Sequence, residues 1–214
     1  MVDLKNPHWR RRCAVMVVGI VIMGLGVCLF QLSLMGSDPH SAMVIAFGNR
    51  LNLMFSTMLI LINTVWFVFE LIFGRKRIGV GTFFNWFGVG IFADMWSSFI
   101  TEWMVIPDNF PVRLLIMIAG VLILSLSCAM YQTADLGVAP YDSISLMMEE
   151  YSPVPYFWCR MITDIFCTSL AGLLGGVVGI GTVFCAFGMG PFVNFFTKNV
   201  ARKLIHESLG SDCV

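Results

Sequence analysis

Long apolar runs separated by short polar stretches fill the chain. Runs of roughly twenty residues, enough to cross about 30 Å of hydrocarbon, predict membrane spans at 13–35, 51–73, 80–103, 114–134, 156–177 and 180–198. The basic residues between them gather on one side. Lys5, Arg10, Arg11 and Arg12 precede the first span; Arg75, Lys76 and Arg77 join the second to the third; Lys198, Arg202 and Lys203 follow the sixth. These are ten of the thirteen Lys and Arg residues, and cytoplasmic loops are the positively charged ones. Both termini are therefore expected in the cytoplasm, with Arg50 and Arg113 in outer connections. The acidic connection 135–155 weighs little in orientation.

The pattern repeats. Residues 79–96 (GVGTFFNWFGVGIFADMW) and 179–196 (GIGTVFCAFGMGPFVNFF) share eight of eighteen positions. At almost the same offset, 18–43 aligns with 119–144, superposing Gly19 on Gly120, Gln31 on Gln132, Gly36 on Gly137 and Pro39 on Pro140. A unit covering about 12–100 thus recurs at about 112–200 within a single transmembrane domain, 1–214. Each unit holds three spans, an odd number, so the second must enter the membrane upside down relative to the first. The expected fold is an all-α membrane protein of six transmembrane helices, arranged as two inverted-topology three-helix repeats. Two inverted halves facing opposite sides recur in carriers and channels, and a purely structural duplication would have the same form.

Composition agrees with burial in a bilayer. Apolar residues make up 58% and charged residues 12%, with a mean hydropathy of +0.85, far from the soluble average of about 45–50% and 25%. The first run is too long for the apolar core of a cleaved signal peptide. Net charge is zero, and no nucleic-acid partner is expected. Seven scattered cysteines without a C-x-x-C pair read as small buried hydrophobes rather than a disulfide or metal framework.

Each unit breaks its first span with G-x-x-P: Gly36-Ser37-Asp38-Pro39 and Gly137-Val138-Ala139-Pro140. Gly suits a helix C-terminus and Pro the first turn of the next helix, while Asp38 has the short acceptor of an N-cap. A short helix of about ten residues should follow each break. The two pieces either lie along the membrane interface, the preferred reading, or dip inward as half-helices. Dipping would aim positive dipole ends at a polar cavity and favour an anionic solute.

The run G-V-A-P-Y-D-S (137–143), followed by G-I-G-T…G-P-F (179–192), resembles the YczE/YyaS/YitT group of small bacterial integral membrane proteins over about 12–200. The first copy departs from it, with His40 and Ser41 for Tyr141 and Asp142, and Ile91 for Pro191. The resemblance implies a multi-span helical protein of the bacterial cytoplasmic (inner) membrane and names no substrate.

Polar side chains inside spans need a partner or a purpose, since a charge at the bilayer centre costs a few kcal/mol or more. Asp164 lies about 12 Å into the fifth span at 1.5 Å per residue. Arg160, one turn earlier, can pair with it, leaving Asp164 either a structural ion-pair member or an ion-binding carboxylate. Asn63 is its equivalent in the second span. Asp94 with Asn194, and Gln31 with Gln132, are two more mirrored pairs; each either satisfies nearby helix groups or lines a pathway. Asp142 belongs to the second break. Glu70 reads as an interfacial partner of Arg75. No catalytic constellation and no cofactor motif occurs, so an enzyme is not expected. The leading expectation is a small-solute transporter or permease with a pathway between the halves; the rival is a non-transporting scaffold or regulatory partner. Six spans make a thin bundle, which leaves room for a homodimer.

Overall fold

A computed structural model describes residues 9–103, 109–176 and 178–206. Lys5, His8, Cys213 and residues 104–108 of the connection 104–113 lie outside the described residues. Among the described residues, eight helices of twelve residues or more follow one another: α1 (Trp9–Ser33), α2 (Pro39–Leu51), α3 (Phe55–Phe73), α4 (Val80–Trp103), α5 (Phe110–Ala134), α6 (Pro140–Tyr151), α7 (Tyr156–Leu173) and α8 (Ile180–Phe196). A 3₁₀ turn, Arg75–Arg77, joins α3 to α4, and a π turn, Thr197–Ala201, carries α8 into α9 (Arg202–His206). No strand occurs among the described residues.

Each run expected as a span holds a helix, α4 with the expected bounds and the others with one or both ends shifted. α1 stops at Ser33 because Leu34 (φ 54°) and Gly36 (φ 113°) turn left-handed, and α5 stops the same way at Asp135 (φ 50°) and Gly137 (φ 124°). α3 starts at Phe55 rather than at 51, because α2 runs on to Leu51 and Asn52 closes it with φ 54°. Among the described residues, four helical stretches are long and apolar enough to cross a membrane: Trp9–Ser33, Phe55–Phe73, Phe110–Ala134 and Ile180–Leu204. α4 and α7 are 24 and 18 residues long but more polar, carrying Asn85 and Asp94, and Arg160 and Asp164.

α1 and α5 lie side by side and form the centre of the bundle. Gly26 lets them approach: a methyl there would stand 3.0 Å from the Leu124 nitrogen. Around this pair, α4 packs on α1 and α8 on α5, while α2 packs on α7 and α3 on α6. The helix starts are tied crosswise. Gly81 N–H donates to the Leu136 carbonyl at 2.8 Å, and Gly181 N–H donates to the Met35 carbonyl at 2.9 Å. In each tie the Thr of G-x-G-T (Thr82, Thr182) is buried and accepts from the first Gly N–H. The beginning of α4 thus rests on the break after α5, and the beginning of α8 on the break after α1. Large apolar side chains such as Val65, Ile72, Leu115, Ile165 and Phe187 cover the outside, as contact with lipid requires.

Glu70 departs from its expected pairing. It is fully buried where α6 packs on α3, neither oxygen has a hydrogen-bond partner among the described residues, and Arg75 bonds the Leu71 carbonyl instead. Being one turn inside the helix and covered by α6, Glu70 cannot reach the interface.

Candidate functional site

Pro39 and Pro140 open two short helices whose first turns are buried rather than laid along an interface. Pro39, His40 and Ser41 at the start of α2 and Pro140, Tyr141 and Asp142 at the start of α6 are all buried. Both first turns thus sit inside the bundle, the arrangement that the inward reading expects. The mostly apolar composition suits lipid or protein burial equally; packing of α2 on α7 and α6 on α3 decides it. The two first turns meet. His40 and Tyr141, 101 positions apart, stack with ring centroids 4.2 Å apart and planes 14° from parallel.

Beside this stack lies a cavity of about 720 Å³, within the range of small-molecule sites. Both short-helix starts contribute to its wall, with Asn63 from α3, Arg160 and Asp164 from α7, and Asn194 from α8. Apolar side chains including Val27, Leu124 and Met189 make up much of the rest. Phe157, in the first turn of α7, and Gln132 line it and are partly open to the outside.

A charged network holds one wall. The Arg160 guanidinium donates to Asp142 and lies 3.4 Å from Asp164. Its central carbon sits 4.6 Å from the Tyr141 ring centroid, a cation–π arrangement. Tyr131 donates its hydroxyl proton to Asp142, and Tyr141 donates to Asp164. Ser145 and Thr163, 3.0 Å apart, join α6 to α7 behind it. Nothing equivalent exists in the first half: at the matching positions stand Leu59 for Arg160, Ser41 for Asp142, Asn63 for Asp164, Phe30 for Tyr131 and His40 for Tyr141. The repeated plan carries this arginine-centred network in the second half only, while Asp38 of the first half is matched by Ala139 in the second.

Of the residues singled out from sequence, Asp164, Asn63, Gln132, Asn194, Pro39 and Asp142 line the cavity. Gln31, Asp94, Gly36, Gly137 and Pro140 are not part of its wall. Gln31 has its amide nitrogen buried without a partner among the described residues. Asp94 accepts the Ser56 N–H at 3.0 Å, closing the start of α3 from the neighbouring helix. Removing it as Asp94→Ala should cost about 1 kcal/mol, the usual worth of a cap, readable as a lower thermal midpoint. The sequence paired Arg160 with Asp164 and placed Asp142 in the second break, but not the pairing of Arg160 with Asp142, 18 residues away, nor the roles of His40 and Tyr141. The matching of His40 with Tyr141 in the repeat was the available signal.

The comparisons with known proteins add a family. A family model described as a family of unknown function, DUF6198, matches residues 10–198. The chain belongs to that family. Relatives of this DUF6198 chain include an uncharacterized protein of Haemophilus influenzae, 28% identical over 88% of this chain and 84% of its own length. The uncharacterized protein YyaS of Bacillus subtilis is 22% identical over 89% of this chain and 94% of that one. The uncharacterized membrane protein YczE of the same organism is 23% identical over 83% and 81%. The resemblance to the YczE and YyaS proteins is thereby established, and with the apolar helices it makes the chain a multi-pass membrane protein. No solved structure matches it.

Proposed function

We propose that this chain is a small-solute membrane transporter whose pathway passes through the cavity between two inverted halves. In this reading α1, α3, α4, α5, α7 and α8 cross the inner membrane, both termini are cytoplasmic, and α2 and α6 enter part-way. The observation that carries it is the meeting of two equivalent short-helix starts at one polar-edged cavity. Half-helices that end inside the bundle are tolerated where they line a cavity, and they mark substrate sites in transporters built from inverted repeats.

A difference between the two halves supports alternating access. α4 closes on α3, so tightly that a methyl on Gly90 would stand 2.8 Å from Ser56 Cα. At the matching place a methyl on Gly190 would meet nothing within 4 Å, α8 touches α7 sparsely, and Asn194, the counterpart of the capping Asp94, faces the cavity with Phe157, the counterpart of Ser56. Exchange of the two arrangements would close this side and open the other. Pro191, which removes a rung of the α8 ladder, stands where such a bend is needed.

Asp164 is the ion-coupling candidate. Replacing it as Asp164→Asn should abolish the dependence of solute flux on a proton or ion gradient in proteoliposomes. Unchanged coupled flux would remove Asp164 from the mechanism. The scaffold reading expects a sealed interior, so a thiol reagent in water should fail to reach a cysteine placed at the buried position 63 on a cysteine-free background; the transporter reading expects rapid labelling.

A further inference from the structure

We infer that the cavity binds a small organic cation carrying an ammonium head, held by the Asn63 amide oxygen and the Asp164 carboxylate. The inference rests on the pathway reading and names the chemical class of its solute.

Two helix starts would ordinarily attract an anion. Here each is already answered by a carboxylate. Asp38 accepts the Ser41 N–H at 3.0 Å at the start of α2, and Asp142 occupies the first turn of α6. The cavity wall therefore presents three carboxylates, Asp38, Asp142 and Asp164, against one guanidinium, Arg160, which Asp142 and Asp164 already engage. An incoming anion would have to displace one of them. An incoming cation would not.

The donor count points the same way. Asn63 is 4% exposed, lines the cavity, and its Oδ1 has no hydrogen-bond partner among the described residues. A buried acceptor left unmade costs about 1–3 kcal/mol, so this atom calls for a donor. Both contacts of Asp164, to Tyr141 and Arg160, use Oδ1, which leaves Oδ2 without a hydrogen bond among the described residues. Both groups line the same cavity; Tyr141, whose hydroxyl bonds Asp164, has its ring centroid 6.3 Å from that of Trp66 on the same helix as Asn63. An ammonium group is all donor and charged, matching two open acceptors with an excess of negative charge, while the apolar wall accommodates a short hydrocarbon body.

The test uses the full chain in nanodiscs, with butylammonium chloride and sodium butyrate as probes at equal ionic strength. Butylammonium should raise the thermal unfolding midpoint and bind saturably, and butyrate should do neither. Asn63→Leu should fold with unliganded stability equal to or above that of the unaltered protein, because it removes an unsatisfied buried oxygen, yet bind butylammonium at least tenfold more weakly. Asp164→Asn should weaken it similarly. Stabilisation by butyrate alone, or an undiminished butylammonium response in Asn63→Leu, overturns the inference. Labelling of a cysteine at position 63, on a cysteine-free background, separates the two claims. Labelling without a butylammonium response refutes the cation and leaves the pathway standing; neither labelling nor response refutes both.

Discussion

Gly79→Ala and Gly179→Ala should each prevent stable folding or lower stability by about 3 kcal/mol or more, the upper range for overpacking. The new methyl in Gly79→Ala would collide with the Leu136 carbonyl oxygen and stand 2.8 Å from its carbon; in Gly179→Ala it would collide with the Met35 carbonyl in the same way. These obstacles are backbone, so no rotamer change relieves them. Each collision also pushes apart the hydrogen bond two residues on, from Gly81 or Gly181. Gly190→Ala is the matched comparison. Nothing lies within 4 Å of its methyl, and replacing a helical glycine by alanine is worth roughly 0.5–1 kcal/mol, so this variant should be neutral or more stable. Thermal unfolding of the three purified variants gives the ranking. Equal midpoints for Gly79→Ala and Gly190→Ala would contradict the crosswise tie.

Arg160→Met should be the most damaging change at the cavity. It removes the guanidinium that Asp142 and Asp164 share, leaving two carboxylates with side chains 9% and 6% exposed side by side without a countercharge. Breaking a buried pair from one side typically costs about 3–5 kcal/mol. Arg160 itself is 25% exposed, so the lower end is expected. The cause is charge rather than shape, and the sign can be tested: Asp142→Asn and Asp164→Asn added to Arg160→Met should restore most of the lost stability. A triple variant no more stable than Arg160→Met would show that packing of the arginine stem, not its charge, is what matters.

The backbone plan was largely legible in the sequence, because apolar runs and the hundred-residue offset report directly on helices and their repetition. G-x-x-P reported two helix breaks for the same reason: left-handed Gly36 and Gly137 and first-turn prolines are local demands. Depth was not legible. The apolar residues of α2 and α6 serve burial against lipid or against α7 and α3 alike, so composition could not tell an interfacial piece from an inward one. The pairing of Arg160 with Asp142 and the stacking of His40 on Tyr141 depend on where those turns end up, and no local period encodes that. Glu70 misled for a related reason, since spacing to Arg75 says nothing of α6 arriving on top of it. The G-x-G-T glycines were read as allowing close helix approach; their first members meet the carbonyls of a break in the other half.

That exchange has a consequence for separability. A lone unit of about a hundred residues would leave the opening of its fourth helix with no carbonyl to sit on, and its own break with no visitor. Neither stretch, cut free of the other, keeps the tie that begins α4 or α8.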